Sequence, residues 1–344
     1  MCGISGILVL EKENICQGKK LSLMVQTSSH RGPDALGGWS TENLSQGDIY
    51  HDLDQIKTLK GKVFLGHTRL AIQDLSEKGV QPMCYDLSTW ISFNGEIYNY
   101  KQLKKELEQK GYSFNTDTDT EVILASYMTW GVDCLKRFNG MFAFLLVDLR
   151  KKILFGARDR LGIKPFHYVN EDGCLLFASE IKQLVKCSKR SYFLNKDMAM
   201  VFLMNGIANH ISDETMFKGI YQVKPGHYFI IDLNKPAGLD LKPYWHLEQN
   251  TNKDLTYEDA KDHFKYLFDD SIKLRLISDV PVGTSLSGGL DSSIIACTIS
   301  GKFKKNINTF SACFNNEKYN EEFYLDLVNQ AVPSLPNKIY PDPN

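Results

Sequence analysis

The chain has 344 residues, of which 43% are hydrophobic and 24% are charged, and its formal net charge is −1. This length is enough for two domains that each bury a core, and the composition is that of an ordinary globular protein. Acidic and basic residues are interleaved, as in residues 101–110, so the sequence predicts neither a nucleic-acid partner nor an anionic membrane surface as a partner.

The cysteines and the apolar segments indicate the compartment. Eight cysteines are spread along the chain without a Cys-x-x-Cys pair or a Cys/His cluster at zinc spacing, which predicts reduced thiols. No segment approaches the roughly 20 apolar residues of a membrane span, and the amino terminus lacks the charged and apolar regions of a signal peptide. The sequence therefore predicts a cytoplasmic protein.

The first residues of the chain carry a possible nucleophile. If Met1 is removed, Cys2 bears a thiol and a free α-amino group on one residue. The amine titrates near pH ~8 and the thiol near ~8.5, so the amine can accept the thiol proton. Ile4, Ile7 and Val9 predict a buried strand that holds this nucleophile in place. A cysteine that merely follows the initiator methionine is the alternative that this stretch leaves open.

The next segments alternate between turn and strand composition. Residues 26–39 are rich in turn-forming and polar residues, which predicts a loop. Residues 63–72 predict a strand with His67 and Arg69 on the same face, because strand side chains alternate with a period of two. The strand predicted at 89–93 runs into an Asn-Gly pair, which usually forms a tight turn.

The remainder of the first 250 residues predicts a layered α+β arrangement. Two helices are expected, one over 101–110 and one beginning near Glu121, where Asp119 would lie favourably at the positive end of the helix dipole. Further strands are predicted at 141–148, 152–158 and 174–178, with a hairpin of 219–232 and 239–245. Strands in groups with helices between the groups favour an α+β sandwich. A polar segment at 249–254 predicts the domain boundary.

A helix and a phosphate-binding loop are predicted beyond this boundary. The helix over 255–278 would be capped by Thr256 and would turn Phe264, Leu267 and Ile272 inward. A strand at 280–286 then leads through the loop 287–293 (Ser-Gly-Gly-Leu-Asp-Ser-Ser) into a helix over 294–300.

Glycines in such a strand-to-helix turn leave successive N–H groups pointing at one anion. The serine hydroxyls add donors, and Asp291 can hold Mg²⁺ against a phosphate. The lysine of a Walker loop is absent, so the loop suits ATP cleavage to AMP and pyrophosphate. A Gly-Gly turn with a serine cap is the alternative.

These motifs together resemble class II glutamine amidotransferases and, over the whole chain, the glutamine-hydrolysing asparagine synthetases. The segments that carry the resemblance are Cys2-Gly3-Ile4, 30–34 (His-Arg-Gly-Pro-Asp), 66–70 (Gly-His-Thr-Arg-Leu), 94–99 (Asn-Gly-Glu-Ile-Tyr-Asn), 119–121 (Asp-Thr-Glu), 138–144 (Phe-Asn-Gly-Met-Phe-Ala-Phe), 157–165 (Ala-Arg-Asp-Arg-Leu-Gly-Ile-Lys-Pro) and 287–293.

The resemblance implies an N-terminal nucleophile hydrolase sandwich (αββα) over residues 2–250, with a C-terminal hairpin extension, as the glutaminase domain. It implies that Cys2 attacks the side-chain amide of glutamine and that Asn94 and the Gly95 N–H form the oxyanion hole. It also implies that Arg69 binds the α-carboxylate of glutamine and Asp119 its α-ammonium, while Glu96 lines the pocket.

For residues 255–344 the resemblance implies the first part of a parallel-sheet ATP-pyrophosphatase domain, apparently truncated. Such a domain activates aspartate with ATP as β-aspartyl-AMP, which ammonia from an internal tunnel then converts to asparagine. The ATP site would be formed by Leu286, Ser287, Gly288, Gly289, Leu290, Asp291, Ser292, Ser293 and Ala312, with Mg²⁺ at Asp291.

The sequence also departs from the family. Family members continue through a second loop of the type Ser-Gly-Glu-Gly-Ser-Asp-Glu, which this sequence lacks, and Cys313 stands where the family usually has glycine. The expected partners are glutamine, aspartate and ATP, with a missing C-terminal portion or partner chain and a homodimer both open. The alternatives are a glutaminase subunit or amidotransferase that feeds ammonia to another acceptor, and a non-catalytic sensor of glutamine or nucleotide.

Overall fold

The structure, a computed structural model, describes residues 1–11, 16–43, 49–206, 212–249, 254–314, 318 and 320–341. The chain divides into two compact units, Met1–Glu248 and Gln249–Asn344. The division falls at the start of the polar segment 249–254, most of which lies outside the described residues.

In the first unit the described strands form two antiparallel sheets. The strands are β1 (Gly3–Val9), β2 (Ala35–Ser40), β3 (Val63–Arg69), β4 (Met83–Cys84), β5 (Thr89–Ile97), β6 (Gly140–Asp148), β7 (Ile153–Arg158), β8 (His167–Glu171), β9 (Cys174–Ala178), β10 (Tyr221–Gln222), β11 (His227–Asp232) and β12 (Lys242–Pro243). One sheet has the order β10-β8-β9-β1-β3-β2 and the other β12-β11-β7-β6-β5-β4.

Seven helices are described in the first unit. They are α1 (Gly18–Thr27), α2 (Leu53–Lys57), α3 (Tyr100–Gln109), α4 (Asp119–Trp130), α5 (Cys134–Arg137), α6 (Ile181–Cys187) and α7 (Lys196–Asn205). Of these, α1, α2 and α6 pack on the first sheet and α4 on the second. Along β1, Ile4 and Leu8 point into the core between the sheets, whereas Ile7 and Val9 pack with residues of α1 and α6. On the second sheet α4 lies against β5. This layering confirms the predicted α+β sandwich.

Large side chains close the space between the two sheets. The indole of Trp39 on β2 stacks on that of Trp90 on β5, with ring centroids 4.6 Å apart, and the ring of Phe177 on β9 stacks on that of Phe229 on β11 at 5.2 Å. These aromatic pairs each add about 0.5–1.5 kcal/mol beyond the area that they bury. The start of β1, and therefore Cys2, is thus attached to a rigid core.

Three local predictions in this unit were wrong. The segment 26–39, predicted as a loop, contains the end of α1, a short 3₁₀ helix over Ser29–Arg31 and most of β2. The Asn94-Gly95 pair forms no turn, because β5 continues to Ile97 and pairs with β6. The segment 219–232 is shared between the sheets, since β10 pairs with β8 and β11 with β7. Only the pairing of β11 with β12 matches the predicted hairpin.

The second unit contains a parallel sheet in the order β13-β14-β15, as predicted. Its strands are β13 (Gly283–Ser285), β14 (Ile307–Ala312) and β15 (Ser334–Ile339). Its helices are α8 (Tyr257–Arg275), α9 (Leu290–Cys297), which continues into a π-helical turn, and α10 (Glu322–Ala331). The predicted cap of α8 is present, because the Thr256 hydroxyl accepts a hydrogen bond from the Asp259 N–H.

The inward face of α8 differs from the prediction. Ile272 is buried, but Phe264 and Leu267 are 69% and 53% exposed. The stripe that packs on the described part of this unit is formed by Phe268, Ile272 and Leu276, which repeat at a spacing of four residues. Phe264 continues this spacing and its ring stacks on that of Phe268 with centroids 6.0 Å apart, but it remains exposed at the end of the stripe, whereas Leu267 lies outside the stripe.

All eight cysteines lie in the described part of the chain, and all are free thiols. None of the helices in the described ranges has both the length and the apolar character needed to cross a membrane.

Candidate active site

One cavity collects most of the residues predicted for glutamine. It lies where β1, β3 and β5 meet the start of α4, and its lining includes Cys2, Arg69, Gly95, Glu96 and Asp119. These residues come from four separate elements, and the two-sheet packing brings them together. The structure thus places these five residues in the lining of one cavity, and their roles toward glutamine remain predictions.

The Cys2 thiol is held at the edge of this cavity by backbone groups. Its Sγ atom accepts a hydrogen bond from the Leu70 N–H at 3.4 Å. The Cys2 carbonyl oxygen accepts a hydrogen bond from Nε of Arg31 at 2.9 Å, and Nη1 of Arg31 contacts Glu180 at 2.9 Å. Hydrogen bonds to its side chain and to its main chain thus hold Cys2 in place.

Groups around Cys2 shift the pKa of its thiol in opposite directions. Burial raises the pKa of the thiol, whereas the Leu70 N–H, the amino terminus and the charge of Lys164 lower it. Burial also lowers the pKa of the Met1 amino group, which favours its neutral, proton-accepting form. Met1 is 55% exposed in the structure. Its removal would transfer this amine to the residue that carries the thiol.

Arg69 reaches the cavity from the end of β3 and is 6% exposed. Its Nη1 donates to the Ser76 carbonyl at 2.6 Å, and its Nη2 donates to the carbonyl of Asp74. The guanidinium therefore binds the loop that follows β3 as well as facing the cavity. A glutamine carboxylate at this position would share or exchange these donors.

Two acidic side chains, the buried Asp119 and the half-buried Glu96, line the cavity. Asp119 at the start of α4 accepts a hydrogen bond from the Ile97 N–H at 2.7 Å, and Glu96 accepts one from Nε2 of Gln73 at 2.5 Å. Burial raises the pKa of both carboxyl groups, and the charge of Asp119 raises that of Glu96 further. Such a pair is stabilised by a bound cation such as the α-ammonium of an amino acid.

Asn94 and Gly95 occupy the last part of β5. The Asn94 side chain is 1% exposed, and within the described ranges neither its Nδ2 nor its Oδ1 has a hydrogen-bond partner. A buried amide without a partner costs about 1–3 kcal/mol, so it favours a ligand that supplies one. A Cβ atom on Gly95 would come within 2.2 Å of the Met141 carbonyl oxygen, so only glycine fits there. Gly95 lines the cavity, whereas Asn94 is buried behind it.

The predicted phosphate loop 287–293 is only partly a loop, because α9 begins at Leu290 and not at 294, so that 287–289 form the turn after β13 and 290–293 the first turn of α9. Gly288 has a φ of +81°, which a glycine adopts without strain. The Gly289 N–H donates to the Ser287 hydroxyl at 3.2 Å, and the Ser293 hydroxyl donates to the Gly289 carbonyl at 2.7 Å. Leu290 is exposed, and Ser292 bonds to Ser287. The loop is thus compact and open to solvent on one side.

The other residues predicted for the ATP site are divided between core and surface. The side chain of Leu286 is 1% exposed and packs in the core of the second unit, so only its backbone could contact an adenosine. Ala312 lines a shallow cavity at the end of β14. Asp291 is exposed in the first turn of α9.

A magnesium ion is compatible with this single carboxylate. Among the described residues no group of three or more His, Cys, Asp or Glu side chains is placed to hold a metal. Mg²⁺ commonly binds through one or two carboxylates together with substrate phosphates. Asp291 beside a phosphate loop fits that mode of binding.

Sequence reasoning missed three contributors to the glutamine site: Arg31, Leu70 and Gln73. Arg31 belongs to a motif that was noted, but nothing local indicates that its guanidinium binds the Cys2 carbonyl. Leu70 belongs to the segment 66–70 but contributes only a backbone N–H, and Gln73 contributes an amide from an irregular loop, so no local pattern indicates either role.

Two family models of known proteins match this chain, one in each of its two compact units. Residues 51–245, more than half of the chain, match the family model of the glutamine amidotransferase domain. The chain belongs to the glutamine amidotransferase domain family. Beyond the amidotransferase domain, residues 263–340 match the asparagine synthase family model.

Curated relatives match along most of this amidotransferase chain. Asparagine synthetase [glutamine-hydrolyzing] 3 of Bacillus subtilis strain 168 is 36% identical over 328 residues, which cover 93% of this chain and 49% of the relative. Putative asparagine synthetase [glutamine-hydrolyzing] 2 of Methanocaldococcus jannaschii is 36% identical, with 95% and 62% covered. Amidase chry2 of Gibberella zeae is 33% identical, with 89% and 44% covered. The chain spans roughly half the length of these relatives.

A solved structure shares the fold. Glutamine phosphoribosylpyrophosphate amidotransferase from B. subtilis, complexed with ADP and GMP, aligns with a TM-score of 0.52 at 16% identity and covers 99% of this chain and 69% of its own. Together with the two stacked sheets, this likeness confirms the N-terminal nucleophile hydrolase type of sandwich.

Proposed function

We propose that this chain acts in glutamine-dependent asparagine synthesis. In this reaction Cys2 hydrolyses glutamine to glutamate and ammonia, and the ammonia converts an ATP-activated aspartate to asparagine. The observation that carries the proposal is the cavity in which the Cys2 sulfur lies with Arg69, Glu96 and Asp119. The match of residues 263–340 to asparagine synthase supports aspartate as the acceptor.

The glutaminase half begins with proton transfer. After removal of Met1, the α-amine of Cys2 accepts the thiol proton, and the thiolate attacks the amide carbon of glutamine. Arg69 would bind the α-carboxylate and the Glu96–Asp119 pair the α-ammonium, which places the amide at the sulfur.

The oxyanion formed by this attack would accept hydrogen bonds from the Gly95 N–H and from the Asn94 amide, which lacks a partner within the described ranges. The C–N bond then breaks as the leaving ammonia takes the proton from the α-ammonium of Cys2. Water hydrolyses the thioester, which releases glutamate and restores the thiol.

The synthetase half would use the loop between β13 and α9. Aspartate attacks the α-phosphorus of ATP through its β-carboxylate, which forms β-aspartyl-AMP and releases pyrophosphate. Ammonia then attacks the acyl carbon and AMP leaves. Backbone N–H groups and hydroxyls of residues 287–293 would bind the pyrophosphate, and a Mg²⁺ ion at Asp291 would neutralise phosphate charge when bound. The free thiols suit a reducing compartment, and we place the protein in the cytoplasm.

The test is one incubation of the chain with glutamine, aspartate and MgATP, in which glutamate and AMP are both measured, beside a Cys2→Ala variant. We expect glutamate from the parent chain and none from Cys2→Ala, and AMP from the parent chain if residues 255–344 activate aspartate without the second loop that the sequence lacks. With ammonium chloride in place of glutamine, Cys2→Ala should form AMP at the parent rate. Glutamate without AMP would limit the proposal to the glutaminase half, and neither product would overturn it.

The alternative is that the chain delivers ammonia to an acceptor other than aspartate. It has support from the comparisons, because relatives of similar identity include proteins named amidases. Substitution of other carboxylic acids for aspartate in the same assay separates the two proposals. Binding of glutamine without turnover would instead favour a sensor.

A further inference from the structure

The side chain of Gln73 is held in the cavity of the candidate active site by one of its two polar atoms. Gln73 lies on the irregular segment between β3 and β4 and lines the cavity together with Arg69 and Glu96. Its Nε2 donates a hydrogen bond to Oε2 of Glu96 at 2.5 Å, and its main-chain carbonyl accepts one from Nη2 of Arg69 at 3.4 Å. Gln73 therefore contacts both the cation proposed for the α-carboxylate of glutamine and an acid proposed for its α-ammonium.

The other polar atom of this amide is buried without a partner. Gln73 is 8% exposed, and its Oε1 has no hydrogen-bond partner among the residues that the structure describes. A buried carbonyl oxygen that has lost water and gained no donor is costly. In the lining of a cavity, such an atom favours a ligand that supplies an N–H or O–H group.

The geometry of the amide limits how far this oxygen lies from Glu96. The oxygen and nitrogen of one carboxamide are about 2.3 Å apart, so Oε1 of Gln73 lies within about 5 Å of Oε2 of Glu96, to which its Nε2 is bonded. A nitrogen atom at hydrogen-bond distance, ~2.9 Å, from both oxygens can bridge such a separation. One cationic group can therefore donate to Glu96 and to Gln73 together.

An ammonium group has three N–H donors and is fully satisfied by three acceptors. The carboxylates of Asp119 and Glu96 line the same cavity and supply two of them. The Oε1 atom of Gln73 is a third acceptor next to this pair. The side-chain amide of a bound glutamine is a less suitable partner, because it must lie at the Cys2 sulfur, whereas Gln73 is bonded to the two groups proposed for the amino-acid end.

We propose that Gln73 is a binding residue for the α-ammonium of glutamine, with its Oε1 as the third acceptor beside Glu96 and Asp119. The inference rests on the proposed function, because it concerns the substrate of that site. The hydrogen bond from Nε2 to Glu96 orients the amide, and Oε1 is then available to the ligand. A substrate analogue with a free α-ammonium gains from Gln73, and a thiol reagent without this group does not.

The test compares two reagents that alkylate the Cys2 thiol of the intact chain, followed at the Cys2 peptide by mass spectrometry. Diazo-oxo-L-norleucine is a glutamine analogue with an α-ammonium and an α-carboxylate, whereas iodoacetamide has neither group. We expect Gln73→Met to slow labelling by the analogue at subsaturating concentration about tenfold, through loss of one hydrogen bond to a charged group, and to leave labelling by iodoacetamide unchanged. Gln102→Met, which removes an exposed glutamine on α3, is the matched control and should change neither rate.

A second comparison separates direct contact from an effect that passes through Glu96, because Gln73→Met also removes the hydrogen bond to that carboxylate. In a Glu96→Gln background, a direct contact predicts that Gln73→Met again slows labelling by the analogue about tenfold. No further slowing in that background would overturn the direct contact with the ammonium.

Equal slowing of both reagents by Gln73→Met would also overturn the inference, since it would indicate a general disturbance of the site. If Gln73→Met is not folded by circular dichroism, Gln73→Leu provides the same comparison. Saturable labelling of the parent chain by the analogue that Gln73→Met leaves unchanged would overturn this inference alone. Labelling of the parent chain that does not saturate would instead overturn the proposed glutamine site, and the inference with it.

Discussion

Arg31 connects the nucleophile to the end of the neighbouring strand, because its Nε donates to the Cys2 carbonyl and its Nη1 donates to Glu180, which follows β9. The two hydrogen bonds, both 2.9 Å long, restrain the main chain of the residue that must attack the substrate. They also account for the arginine in the His-Arg-Gly-Pro-Asp motif, whose Asp34 accepts a hydrogen bond from the Ala71 N–H at 2.8 Å.

Substitution of Arg31 should therefore reduce glutaminase activity more than stability. We expect Arg31→Met to lower kcat/KM for glutamine by about 100-fold, since a displacement of about 1 Å at the reacting atom has an effect of that size. The matched control is Lys182→Met, which removes the exposed contacts with Glu180 and His30 but leaves the hydrogen bond to the Cys2 carbonyl intact. Glutamate release at steady state is the measurement, and equal losses in the two variants would contradict the positional role of Arg31.

Asp119 should make the stability of the protein depend on pH. Because burial raises the pKa of its carboxyl group, the folded chain binds more protons than the unfolded chain once the pH exceeds the ordinary aspartate value of about 4. The free energy of unfolding therefore decreases as the pH rises, and Asp119→Asn lacks this contribution while keeping the hydrogen bond from Ile97.

Urea unfolding at pH 5 and pH 8 measures this effect. We expect the free energy of unfolding of Asp119→Asn, taken relative to that of the parent chain, to be more than ~1 kcal/mol higher at pH 8 than at pH 5. Saturating glutamine should return stability to the parent chain at pH 8, because the α-ammonium compensates the buried charge. If the variant and the parent chain differ in free energy of unfolding by the same amount at both pH values, the raised pKa of Asp119 is contradicted.

Gly32, which precedes β2, lies directly against the backbone at the end of β3. A Cβ atom there would come within 2.4 Å of the carbonyl carbon and oxygen of Thr68 and 2.5 Å of the Arg69 nitrogen. Backbone atoms cannot move aside as side chains can, so Gly32→Ala should lower the free energy of unfolding by about 1–3 kcal/mol and displace Arg69. Gly238→Ala, where no atom lies within 4 Å of the added Cβ, should be within about 0.5 kcal/mol of the parent chain in the same urea titration.

Gly288 offers a test of the nucleotide loop that leaves the first unit intact. Its φ of +81° disfavours any other residue, and an added Cβ would lie 2.7 Å from Cβ of Tyr324. We expect Gly288→Ala to weaken binding of ATP or pyrophosphate by at least about tenfold in calorimetric titration, because strain of roughly 1–3 kcal/mol distorts the loop.

Glutamate formation by Gly288→Ala should equal that of the parent chain. Gly301→Ala, with an unobstructed Cβ position, serves as the control for nucleotide binding. Unchanged nucleotide affinity in Gly288→Ala would argue against pyrophosphate binding at residues 287–293.

Local patterns were sufficient for much of this molecule. Short apolar runs bounded by turn residues predict β1, β6 and β9 within a residue or two, and helix caps such as Thr256 follow from short-range hydrogen bonding. The pairing of a thiol and an α-amine at Cys2 is a property of two adjacent positions, so the nucleophile can be inferred without a fold.

The other features of the fold and the site depend on strand pairing and on packing between the sheets. Asn94-Gly95 would form a turn in isolation, but β6 supplies cross-strand partners that continue β5 through it. The same is true of β2, which is extended because β3 pairs with it along its whole length. Arg31 contacts Cys2 and Gln73 contacts Glu96 although the residues of each pair are far apart in the chain. Sequence periodicity reports only short-range geometry, so these contacts exist only once the two sheets have packed.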